Sequence, residues 1–150
     1  MIGRTMNRRL GKIYGGLINN ASPTFDTTTL SASTPAKMVR TTVAGITSGV
    51  TASTDGKLTV PASGDYLLTG TAQASSANSS NNVYEFAARV NDLNPVVVGR
   101  INNNNVAKSV SLSGYLTLSA SDVVDIWVEN QTDADNLIIA QYNLQLTKVS

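Results

Sequence analysis

The sequence predicts an all-β chain folded as one antiparallel sandwich, and three observations carry that expectation. From residue 37 onward, apolar and polar residues alternate with a period of two in short runs, as half-buried strands require. Clusters of Gly, Pro, Asn, Asp and Ser separate those runs at regular spacing. The composition is polar but weakly charged, with 14% charged residues against about 25% in a typical soluble domain. Thr tolerates the pleat while Asn and Gly supply turns, so such a composition suits strands and suits a helical bundle poorly.

Taken in order, the first strand candidates are 37–43, 46–50 and 57–60, with Thr54-Asp55-Gly56 as a turn. Pro61 and Ser63-Gly64-Asp65 then set a turn, after which Tyr66, Leu68, Gly70, Ala72 and Ala74 fall on one face. The run ANSSNN at 77–82 is too polar to bury itself and reads as a loop. In VYEFAARVN, Tyr84, Phe86, Ala88 and Val90 alternate with Glu85, Ala87 and Arg89. Asn91-Asp92 opens a turn, 95–101 is an apolar β-branched run, and Asn102 to Asn105 form a loop tip. The cleanest period of two follows, with Val110, Leu112, Leu116 and Leu118 opposite Ser109, Ser111, Ser113, Tyr115 and Thr117. Ser119 to Asp122 turns the chain, and DVVDIWVEN sets Val124, Ile126 and Val128 opposite Val123, Asp125, Trp127 and Glu129, Asp125 on the wet face. Asp133-Ala134-Asp135-Asn136 reads as the polar tip of a hairpin. In the last strand, Ile138, Ala140, Tyr142, Leu144 and Leu146 alternate with Ile139, Gln141, Asn143, Gln145 and Thr147, tying the C-terminal residues into a sheet. Eight or more such strands point to a sandwich of the jelly-roll or a related kind.

Residues 1–36 read differently. They contain four of the eleven glycines and two of the four prolines, and run into ASPTFDTTTLSASTP without sustained periodicity. A helix over 4–17 fails on its three glycines, each costing about 1 kcal/mol relative to Ala. Arg4, Arg8, Arg9 and Lys12 meet no acid before Asp26, so residues 1–25 carry +4 in a chain whose net charge is +1. The division expected is an extended N-terminal arm over 1–36 and a sandwich domain over 37–150. The arm orders on a partner or is an inert terminus.

Several functions are disfavoured. With no Cys and no His, the chain lacks disulfides, thiolate chemistry, the usual near-neutral acid–base group and the commonest transition-metal ligand. No phosphate-binding glycine loop and no G-x-S-x-G elbow occurs; Gly11-Lys12 is followed by Ile13 in place of a hydroxyl residue. The carboxylate pairs Asp122/Asp125 and Asp133/Asp135 suit acid–base work or calcium, yet each has a simpler reading as turn or surface residues, and an EF-hand-like loop needs more donors. No enzyme, cofactor, metal or small-molecule substrate is expected. The basic N-terminal segment never gains the apolar run of a signal peptide, and no stretch suits a membrane span; the sequons at Asn20, Asn78 and Asn130 are then chance. Four basic residues with Tyr14 as the only aromatic make a poor nucleic-acid platform, and docking on an acidic protein surface fits them better.

From Val60 to Ser150 the succession of elements resembles the trimeric jelly roll of the tumour necrosis factor and complement globular-head type. The residues that carry the likeness are PASGDY, YEFAARVN, SVSLSGYLTLSASDVVDIWVEN and LIIAQYNLQLTKV. The resemblance implies that the Gly-Asp-Tyr entry starts a long central strand, that the L-x-x-x-D-x-V corner joins two neighbouring strands, and that the last strand lies near a threefold axis. Short domains of this type behind a brief arm look like virion proteins of tailed bacteriophages. The function so implied is a capsid decoration (cement) protein, a homotrimer on the outer surface of the virion. Its arm residues Arg4, Arg8, Arg9, Lys12 and Tyr14 would bind the major capsid protein of a phage head. The alternative is the tip of a tail or head fibre, with the loops at 77–82 and 102–105 reading a host receptor or glycan. An enzyme acting on surface polysaccharide would instead need a carboxylate pair in a cleft. Tyr115 and Trp127 alternate onto faces otherwise held by Ser, Thr, Asp and Glu. They are part of a second core wall, or rings lying under a loop, or interface anchors; on the last reading Tyr115, Val123, Trp127 and Ile139 line the trimer contact.

Overall fold

The computed structural model describes residues 12–18, 26–28, 30–38, 43–78, 81–103 and 106–150. Among them there are twelve strands and no helix. They are β1 (Tyr14–Ile18), β2 (Asp26–Thr28), β3 (Ala36–Lys37), β4 (Val43–Ala44), β5 (Thr51–Ala52), β6 (Leu58–Thr59), β7 (Gly64–Ser76), β8 (Asn82–Val90), β9 (Pro95–Asn103), β10 (Lys108–Leu118), β11 (Val123–Asn130) and β12 (Leu137–Lys148). The first sheet runs β10-β7-β12-β1-β4, with β2 also pairing β12; the second runs β5-β6-β11-β8-β9, with β3 also pairing β11. Every pairing between these strands is antiparallel, and the two sheets face each other as a jelly-roll sandwich.

The alternation seen in the sequence is the reason. Tyr66, Leu68, Ala72 and Ala74 of β7, Tyr84, Phe86 and Ala88 of β8, Val110, Leu112, Leu116 and Leu118 of β10, and Val124, Ile126 and Val128 of β11 all point into one core. The Gly-Asp-Tyr entry does begin a long central strand, since β7 lies between β10 and β12. The predicted turn at 54–56 is present, with Gly56 at φ +84°.

Four expectations need correction. Part of the segment read as an arm belongs to the sandwich: β1 lies between β12 and β4, with Leu17 fully buried, and Leu30 is buried too. The glycines that look like breakers let β1 approach closely, since a Cβ on Gly15 would stand 2.6 Å from Val50 Cβ. Of the strand expected at 37–43 the described residues show only its ends, in β3 and β4, residues 39–42 lying outside them; the segment expected as a strand at 46–50 holds no named strand, and the segment around β3 runs along β11. The connection holding Asp133 and Asp135 is not a hairpin tip, because β11 and β12 belong to different sheets; likewise the corner after Leu118 carries the chain from one sheet to the other. Asp125 does lie on the outer face of β11 but is only 1% exposed, because Lys37 of β3 covers it.

Both described terminal positions, Lys12 and Ser150, lie at one end of the sandwich, where Lys148 N donates to Ile13 O and Val149 N donates to Asp65 O. An amide-rich end lies opposite, where Asn82 pairs with Asn103 and Asn130 with Tyr84; Asn102 and Asn103, expected in a loop tip, close β9.

Candidate assembly surfaces

The outward faces of the two sheets differ in charge. On the first sheet the cross-strand register lays out rows of neutral side chains: Ser111, Thr71 and Asn143 form one row, and Ser113, Thr69 and Gln145 the next. Tyr115, Leu67, Thr147 and Tyr14 form the third. Among the described residues the one charge in line with these rows is Asp65, at the border, where Thr117 Oγ1 donates to it at 2.8 Å. Tyr115 is 74% exposed on this face. Three strands away, Tyr14, Gly16, Gly45, Ile46, Asn143 and Gln145 help line a groove of about 480 Å³, which Gly16 deepens by having no side chain. Ile46 at its rim is 82% exposed.

Beside Tyr115, the edge strands β9 and β10 close the sandwich against each other. They come together on glycine: a Cβ on Gly99 would meet Val110 Cγ2 at 2.7 Å, and one on Gly114 would meet Val97 Cγ2 at 2.7 Å. The seam leaves Leu93, Val96 and Val98 exposed on one flank and Tyr115 on the other. An edge that exposes apolar side chains is a ready template for association.

The second sheet's outward face is charged. Lys37 Nζ bridges Asp125 at 3.1 Å and Asp55 at 3.6 Å, and Lys57 meets Asp55 at 3.2 Å. Ser53 donates to Asp55; with the ammonium groups of Lys57 and Lys37 it holds that carboxyl at about 2. Trp127 Nε1 donates to Asp125 Oδ1 at 2.9 Å, while the Arg89 guanidinium lies 4.8 Å from the Trp127 ring centroid. Arg100 forks onto Glu85, with Nε donating at 2.7 Å.

These surfaces divide the residues predicted to form one contact. Arg4, Arg8 and Arg9 lie outside the described residues. Lys12 is exposed and lines a cavity of about 440 Å³ with Lys148 and Ser150, whereas Tyr14 is half-buried and its backbone is bonded to Ser48. Tyr115 sits on the first sheet, but Val123 and Trp127 sit half-buried on the second. Ile139 is 0% exposed and belongs to the subunit's own core. A register shift between Ile139 and Gln141 reverses the alternation of β12 there, so Ile139 faces inward while Gln141 faces out. The four therefore form no single patch. The neutral rows, the Gly16 groove and the seam valines went unrecognised; the uncharged outward series Ser109 to Thr117 was the available signal.

The chain matches no family model and no curated protein. Its fold does match solved structures. The TNF protein Eiger from S. frugiperda superposes with a TM-score of 0.65 at 15% identity, covering 93% of both chains. The globular domain of zebrafish complement 1qA gives 0.61 at 16% identity, over 93% of this chain and 98% of that one. Murine APRIL at pH 5.0 gives 0.58 at 13%, over 92% and 99%. Coverage so nearly complete, with identity so low, establishes a shared jelly-roll architecture.

Proposed function

We propose that this chain is a non-enzymatic structural module that assembles as a homotrimer and serves as a capsid decoration protein on the outer surface of a tailed-phage head. The observation carrying the reading is the pairing, on one subunit, of an uncharged sheet face with an apolar seam. Neutral amides and hydroxyls are far less costly to bury than ions, so the face suits a neighbour's seam. The contact is heterologous, one patch against a different one, and repeated rotation closes it into a ring; the likeness to the tumour necrosis factor fold favours three copies. The basic residues Arg4, Arg8 and Arg9 precede Lys12 in sequence, so three copies present three equivalent cationic segments to a shell, and modest contacts add by multivalency.

Because β1 is a core strand, the informative truncation removes residues 1–11 and spares Tyr14–Ile18. Co-sedimentation with undecorated phage heads tests the reading: the intact protein pellets with the shells, and the truncated protein stays in the supernatant as a folded trimer. Attachment that survives truncation refutes the arm, and an intact trimer that never binds heads refutes the decoration role.

A fibre tip is the second reading. What favours it is polarity: the described residues of the segments expected as loops, Ala77, Asn78, Asn81 and Asn82 with Asn102 and Asn103, lie at the end opposite Lys12, where a receptor-reading surface would be presented. Binding to host cells or arrayed glycans, lost on replacing those loops, would select it over decoration.

A further inference from the structure

We infer that each subunit carries an internal site for a hard divalent cation of the calcium class, at the loop end of the sandwich between Asn82, Asn103 and Asp135. Asn82 and Asn103 are directly opposed in the β8–β9 register, and both are fully buried. Their carboxamides reach across to the same stretch of β7: Asn103 Nδ2 donates to Ala74 O at 2.6 Å, and Asn82 Nδ2 approaches Ser76 Oγ at 3.4 Å while donating to Asp135 Oδ2 at 2.8 Å. The two amides thus stand side by side with their nitrogens used. Each leaves its Oδ1 buried and without a donor. Such orphaned acceptors are rare and ask for an explanation.

What completes the pair must be electropositive, which leaves water or a cation. Charge decides between them. Asp135 also accepts from the Asn78 amide, and Asp133 accepts from Asn130 Nδ2 and Asp135 N at 2.8 Å each. Neither carboxylate has a Lys or Arg partner among the described residues. The Asp135 carboxylate, held against Asn82 without a cationic side chain among the described residues, favours a cation. The donor set selects its class: Asn82, Asn103 and Asp135 offer only amide and carboxylate oxygens, the hard ligands calcium takes, and no imidazole or thiolate.

The test is thermal unfolding of the whole, chelator-treated protein against calcium chloride up to about 10 mM, beyond the range of the weakest calcium sites, with sodium chloride at matched ionic strength as control. The unfolding temperature rises with calcium and not with sodium, by linkage to the folded state. Asn103→Leu abolishes the response. No calcium response in the natural chain overturns the site and leaves a buried water as the occupant. An undiminished response in Asn103→Leu overturns it as well.

Discussion

Replacing Tyr115 with Ser, the residue that already occupies positions 111 and 113 of the same strand face, removes the largest exposed side chain of the neutral face and leaves the sandwich interior untouched. A fully buried aromatic side chain withdraws about 150–250 Å² from water, and Tyr115 has 74% of its surface still to bury. Roughly 110–190 Å² is therefore available to a neighbour, worth about 3–5 kcal/mol at ~25 cal/mol per Å². With burial incomplete, about 2 kcal/mol per copy is the working figure, in the range of an interface hot spot. Three copies lose about 6 kcal/mol, so the trimerisation constant falls roughly 10⁴-fold and the concentration of half-assembly rises about 100-fold. The subunit itself should change by no more than about 0.5 kcal/mol, as for other surface positions. Sedimentation velocity over a dilution series reads the first quantity and urea unfolding of the dissociated chain reads the second. A Tyr115→Ser protein that dissociates at the same concentration as the natural chain refutes the reasoning.

Two further outcomes follow from the core. Tyr142 is buried with its hydroxyl unpartnered, so Tyr142→Phe stabilises the fold by about 1 kcal/mol, since an unsatisfied buried hydroxyl costs roughly 1–3 kcal/mol; a loss of stability in urea unfolding would show that the hydroxyl has a partner. Burial also raises the ionisation of Tyr142, Tyr84 and Tyr66 above the ordinary phenol value. A group whose folded pKa is raised contributes stability that is complete below its unfolded pKa and is lost as pH climbs beyond it. Stability should accordingly decline above pH ~10, with phenolate absorbance from these three appearing late and together with unfolding. Absorbance from all five tyrosines before any loss of structure contradicts it.

Much of the fold was legible because several strands have one dry and one wet face, which writes a period of two into the chain. The strands β7, β8, β10 and β11 bury the residues that alternation selects. Legibility failed where a local rule was overridden from a distance. Gly15 and Gly16 argue against a strand, yet they permit the close approach to Val50 and Leu144 that seats β1. The bulge at Ala140 inverts a face that periodicity extends unbroken, which turned Ile139 from interface to core. Asp125 reads as a wet carboxylate because nothing nearby in sequence announces that Lys37 will lie over it. The β-branched run of β9 suggests a buried strand, but its edge position leaves Val96 and Val98 exposed. Alternation says which residues share a face of one strand; which strands share a sheet is set by the non-local pairings, and this separated Tyr115 from Trp127.

Each of these surfaces matters to function only if copies meet. Light scattering on the purified chain at micromolar concentration and physiological salt should give a particle of ~47 kDa, three times the 15.7 kDa subunit. A species that stays at 15.7 kDa as the concentration is raised to the solubility limit contradicts self-assembly.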